Sequence, residues 1–230
     1  MKSGIKYNLT TYFVFIIIAI AGVLYGNTLA DSYKSLRVWS FPNILLLLSG
    51  VPFLFLQAKA KLPDFWEKGI TNINRLLIPL IIGIVFGILD VLVFKVVLHP
   101  GPYSELPPYT QPFPYSVFLY FSGAVEVEVF YRLIPMTLIL FIGNRLKGGK
   151  YYSAFFWTGS LLTAIREPLE QISHEAAIIV IYALISGFLM NFLQAIWYRK
   201  AGFLASLSLR LGHYLIWHIL LGIYIECLIS

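Results

Sequence analysis

Residues 125–132 read Val-Glu-Val-Glu-Val-Phe-Tyr-Arg. Glu128 and Arg132 are four apart, so on an α-helix they share a face and can pair. Glu126 lies two positions from Glu128, about 200° round the helix, and cannot use the same arginine. It needs another partner, a proton of its own, or a watered cavity. A carboxylate in a cavity can act as a general base for water. The alternative is structural: a Glu128–Arg132 staple with Glu126 buried neutral.

Residues 209–218 read Leu-Arg-Leu-Gly-His-Tyr-Leu-Ile-Trp-His. His213 and His218 are five apart, about 140° round a helix, so they serve different partners. A single histidine in an apolar helix is usually a hydrogen-bonded core residue. Two of them with Arg210, on a helix opposite two glutamates, point to a site. Arg166, Glu170 and His174 recur at i, i+4, i+8, and Pro168 suits the first turn of a new helix. Alone this stretch reads as a solvated helix end, with His174 a further candidate for the site.

These groups must be positioned by elements that are almost wholly apolar. Of 230 residues, 59% are hydrophobic and 12% charged, and mean hydropathy is +0.79. Soluble domains carry about 25% charged residues, so lipid must cover the surface. This excludes an ordinary soluble domain, a disordered chain and a coiled coil. Continuous apolar runs exclude an outer-membrane barrel, whose strands alternate. A spanning helix needs about 20 mostly apolar residues. Candidate runs are 12–25 with flanks, 41–57, 76–98, 115–142, 151–165, 176–197 and 203–229. The expected fold is all-α, a polytopic transmembrane bundle of about seven spans, with residues 1–230 as one integral membrane domain. An ionisable group inside a membrane costs about 3 kcal/mol, so acids and histidines gathered in the second half are the main functional signal.

Loop lysines and arginines set orientation. Lys2 and Lys6, then 59–75, 145–150, and Arg199 with Lys200 fall on one side of seven spans. This places the N-terminus in the cytosol, in the plasma membrane of a prokaryote; Lys34 and Arg37 are the minority on the far side. Lys2, Lys6, the run 13–24 and Thr28-Leu29-Ala30 also resemble a signal peptide. Residues 99–114 hold six of the twelve prolines, which predicts a stiff extended connector. Pro63 is expected to start a short interfacial helix with Phe65 and Trp66 dipping into lipid. The net charge of +6 lies in loops, so it reads as topology and no nucleic-acid partner is expected. Cys227 is the only cysteine, which excludes an intrachain disulfide and a cysteine-based zinc site. The phosphate loop, nucleophile elbow and His-Glu-x-x-His helix are all missing; no metal or cofactor is expected.

The layout of a glutamate helix, a middle histidine and a last helix bearing histidines after Ala-Gly-Phe-Leu (201–204) resembles the CPBP family of integral membrane peptidases. That family includes CAAX prenyl endopeptidases and Abi-type bacteriocin-processing or immunity proteins. The resemblance covers roughly residues 116–229. Glu128-Val129-Phe130-Tyr131-Arg132 fits the second glutamate and the arginine of the family's Glu-Glu-x-x-x-Arg. Val127 stands where the family has its first glutamate, with Glu126 one step earlier. For Phe-x-x-x-His the candidate is His174, with Glu170 in place of the phenylalanine; an alignment through residues 160–163 instead puts Glu167 in the histidine's place. For His-x-x-x-Asn, His213 is followed by Trp217 and His218 by Gly222. The resemblance implies an intramembrane endopeptidase with a glutamate-activated water. Its partners would be membrane lipid and a peptide or lipidated-peptide substrate. Glu126, Glu128, His174, His213 and His218 would be catalytic, with Arg132 and Arg210 supporting them. The rival readings are an inactive scaffold or peptide-binding immunity protein of the same shape, and a transporter using Asp90, Glu126 and Glu128 as a proton relay.

Overall fold

The computed structural model describes residues 3–33, 36–170 and 177–229. All seven apolar runs fold as helices: α1 (Ser3–Leu29), α2 (Phe41–Leu54), α3 (Ile73–Leu98), α4 (residues 115–145), α5 (Tyr152–Glu170), α6 (Ala177–Ala201) and α7 (Phe203–Ile229). The described residues hold no strand. Helices α1, α3, α6 and α7 are long and apolar enough to cross a membrane. Their outer faces carry bare apolar side chains, with Val97 and Ile178 each 71% exposed. In water such faces would be costly. They point to an integral membrane protein.

Loop contacts define two ends of the bundle. At one end Asn8 of α1 donates to Asp64, Asn144 donates to the Lys59 carbonyl, and Tyr152 donates to the Ala60 carbonyl. Gly202, at φ +86°, turns α6 into α7 against the Pro63 carbonyl. That φ favours glycine because a Cβ clashes there. At the other end the Arg37 N–H donates to Gln111, Tyr115 donates to the Arg37 carbonyl, and the Phe113 N–H donates to Glu226. The basic segments 59–75, 145–150 and 199–200 therefore share one end, and 99–114 lies at the opposite one. In a Cys227→Ser background, Ser104→Cys and Gly148→Cys in sealed vesicles should react with an impermeant thiol reagent from opposite faces. Labelling of both from one face would overturn a seven-span arrangement.

Three local expectations are corrected. The fifth run continues to Glu170, so Pro168 sits in the last turn of α5 and does not open α6. Side chains hold that turn: Arg166 pairs with Glu170 within the helix at 2.7 Å, and the Tyr131 hydroxyl of α4 donates to Glu170. Pro63 starts no helix. Asn8 accepts from the Phe65 N–H at 2.9 Å, and Arg75 donates to the carbonyls of Glu67 and Ile70, so side chains satisfy the backbone of an irregular turn. Phe65 is buried and stacked on Phe203 at 5.0 Å, whereas Trp66 stays exposed and donates to Thr11. Residues 99–114 are no extended spacer either. Pro107 and residues 110–112 are buried, and Tyr109 stacks on Trp217 of α7 at 4.8 Å. Burial, with the Tyr103 hydroxyl 2.7 Å away, pushes the Tyr109 phenol well above its ordinary range. Tyr109 is therefore a neutral ring capping this end of the bundle.

Helices α3 and α7 meet backbone to backbone. A Cβ on Gly83 would stand 1.8 Å from the Leu209 carbonyl oxygen, and one on Gly212 2.2 Å from that of Leu80. Only glycine permits that approach. Beyond Gly87 the two helices loosen into π-helical turns, Val91–Leu98 and Leu215–Leu220.

Candidate functional site

A cavity of about 750 Å³ opens inside the bundle, in the half nearer residues 99–114 and away from the basic loops. Its lining includes Asp90 of α3, Glu126 of α4, Glu167 of α5, and Arg210, His213 and His218 of α7. Arg37 and Asn43 reach it from the segment before α2 and its first turn.

The orientation of Glu126 follows from the start of α2. The Asn43 side-chain oxygen accepts from both the backbone N–H (3.1 Å) and the hydroxyl (3.0 Å) of Ser40, a capping arrangement. The Asn43 amide nitrogen is thereby turned towards α4 and donates to Glu126 Oε1 at 3.2 Å. Glu126 is half-buried, with its carboxylate in the cavity wall.

The two histidines have different partners. His213 Nε2 lies 2.7 Å from Asp90 Oδ2, and the Tyr182 hydroxyl donates to Asp90 Oδ1 at 2.7 Å. A carboxylate accepts, so Nε2 of His213 carries a hydrogen. His213 Nδ1 is buried without a hydrogen-bond partner. His218 Nδ1 is 2.6 Å from the Tyr109 carbonyl, and its ring stacks on Tyr120 at 4.3 Å. A carbonyl only accepts, so the hydrogen sits on Nδ1 and the neutral ring keeps its lone pair on Nε2.

A buried charged cluster adjoins the cavity, and Glu167, Asn191 and Arg210 belong to both. Arg210 forks onto Glu167 with two bonds of 2.7 Å, the bidentate geometry guanidinium suits best. Its Nε lies 3.3 Å from Glu128. Glu128 also accepts from Gln194 and Ser206. Arg132 donates to Asn191 and to the Tyr131 carbonyl. The expected Glu128–Arg132 staple is therefore corrected: the ion partner of Glu128 is Arg210 on α7. Between the two residues α4 passes through a π turn, Val129–Leu133. Its i→i+5 bonding adds a residue to the turn and removes the four-residue register.

His174 lies outside the described residues, as do Lys2 and Lys34. Of the other candidates, Glu126, His213, His218 and Arg210 line the cavity, while Glu128 and Arg132 are wholly enclosed in the cluster. Asp90 entered the sequence reading only as part of a proton relay. Its signal was an acid breaking an apolar run; its histidine partner, 123 residues away, was not legible. Glu167, Asn191 and Asn43 were missed as partners. Glu167 looked like a solvated helix end because α5 was read as stopping short of it. Asn191 and Asn43 carry no sequence signal that separates them from any helical asparagine.

No family model, curated protein or solved structure matches this chain.

Chemically, the cavity brings a carboxylate and two imidazoles to one wall. Glu126 can accept a proton, and His218 Nε2 can accept a hydrogen bond. His213 is held by Asp90 through Nε2. Among the described residues no group of three or more histidine, cysteine, aspartate or glutamate side chains is placed to hold a metal ion.

Proposed function

We propose that this chain is a CPBP-type integral membrane endopeptidase. It would span the bilayer about seven times with its N-terminus in the cytosol, and cut a peptide bond inside the bilayer's outer half. The observation supporting this is that Glu126 of α4 and both α7 histidines line one cavity among membrane-length helices. In this reading Glu126 takes a proton from water, and the resulting hydroxide attacks the scissile carbonyl. His213, held in the cavity wall by Asp90, would polarise the scissile carbonyl as charge develops on its oxygen. The proton held by Glu126 then passes to the leaving amine. His218 takes a different part. Its Nδ1–H is committed to the Tyr109 carbonyl, so the neutral ring offers only its Nε2 lone pair, which would accept a hydrogen bond from the attacking water and orient it. Glu128, Arg132 and Arg210 support the wall and do not touch substrate.

The test uses the full chain in liposomes with embedded hydrophobic peptides of varied sequence. The expected result is hydrolysis, mapped by mass spectrometry to bonds in the outer half of the bilayer and unchanged by chelator. Tight peptide binding with no product would favour the scaffold or immunity reading, to which Val127 at the family's first-glutamate position lends support.

A further inference from the structure

Behind the cavity, on the outside of the bundle, a second hollow of about 540 Å³ lies between α3 and α7. Its walls include Val91, Val96, Ile216, Leu220 and Tyr224, and Lys95 is its one charged residue. The hollow follows directly from the helix packing. Gly83, Gly87 and Gly212 press the helices together, and the π turns 91–98 and 215–220 then widen them. The result is a slot open to the apolar surroundings. Val96 and Leu220 are about half exposed along it, at 55% and 47%.

Lys95 gives this slot a polarity. Its amine lies 2.9 Å from the His99 carbonyl and 2.5 Å from the Gly101 carbonyl, and 4.7 Å from the centre of the Tyr103 ring. It is thus drawn to the end of α3, where the chain leaves the apolar zone, as a snorkelling lysine is. Among the described residues no carboxylate lies within ion-pair distance of it; its neighbours are carbonyl oxygens and a ring. An apolar slot ending at a lysine with no carboxylate beside it among the described residues is complementary to an acyl chain below an anionic headgroup.

We infer that the α3–α7 groove binds an anionic phospholipid, one acyl chain lying along Ile216 and Leu220 and the phosphate at Lys95. This does not depend on the peptidase reading, because the groove and the cavity share no lining residue.

The experiment uses the full chain in phosphatidylcholine vesicles doped with phosphatidylglycerol or phosphatidylcholine carrying a photoreactive acyl terminus. Crosslinked peptides are identified by mass spectrometry. Labelling of residues 91–100 and 215–224 should be about fivefold stronger with the anionic lipid, the factor one interfacial lysine supplies. Lys95→Gln should abolish that preference and Lys95→Arg should keep it. Leu220→Trp, which fills the slot, should reduce labelling by both lipids. Circular dichroism confirms that each variant is folded, and Lys95→Gln decides the question alone if the tryptophan variant is not. Equal labelling by the two lipids, an unaltered preference in Lys95→Gln, or labelling no stronger than on residues 13–24 of α1 would each overturn the proposal.

Discussion

Glu126→Gln should reduce peptide cleavage about 1000-fold, within the range that a positioned general base contributes, and leave the fold intact. The fold survives because glutamine keeps an oxygen where Asn43 donates, so the one bond that Glu126 accepts, at 3.2 Å, can be remade. The residue is half-buried at a cavity wall, so no enclosed charge loses its partner. What glutamine cannot do is take a proton from water. The comparison variant is Glu128→Gln, which removes a fully enclosed carboxylate bonded to Gln194, Ser206 and Arg210 and should act on stability first. Cleavage rate and melting temperature measured on both variants separate the roles. Cleavage at the wild-type rate by folded Glu126→Gln would remove this residue from the chemistry and leave the scaffold reading in its place.

Arg210→Met should destabilise the protein by at least about 3–5 kcal/mol, the cost of stripping the partner from a buried ion pair. This guanidinium serves two carboxylates, Glu167 through a fork of 2.7 Å bonds and Glu128 at 3.3 Å. Both carboxylates are less than 5% exposed, so water cannot replace the lost charge. Glu167→Gln in the same chain should restore part of the loss by removing one stranded charge. Arg132→Met should cost less, because Arg132 donates to amide and backbone oxygens and not to a carboxylate. For the same reason Glu128→Gln should not rescue it. Denaturant unfolding in detergent measures all four. Wild-type stability for Arg210→Met would show that the cluster does not carry the bundle.

The helices were legible because lipid-facing segments must be apolar throughout, and seven such runs stand out against a sparsely charged background. Their boundaries were less so. Residues 166–170 at the end of α5 contain a proline and three charged residues, and Tyr131, Arg210 and the local Arg166–Glu170 pair hold them. No local rule carries that information. The candidate site was legible as residue types: acids and histidines in apolar helices announce themselves by their cost. Their pairing was not. Glu128 and Arg132 followed α-helical spacing in the sequence, and a π turn between them sent each to a different helix. Asp90 and His213 come together only because Gly83 and Gly212 let α3 and α7 touch, a tertiary event no window of sequence contains.

The buried cluster also bears on how the chain is made. Helices α4 and α5 emerge from the ribosome carrying Glu128, Arg132 and Glu167, two negative charges against one positive. The guanidinium that clamps both acids is Arg210, on α7, which is synthesised after both of them. Until α7 arrives, the nascent intermediate holds an uncompensated carboxylate and lacks its central clamp. Assembly of the cluster therefore waits for α7. Once α7 has docked, two carboxylates stand with two guanidiniums and the enclosed cluster is neutral.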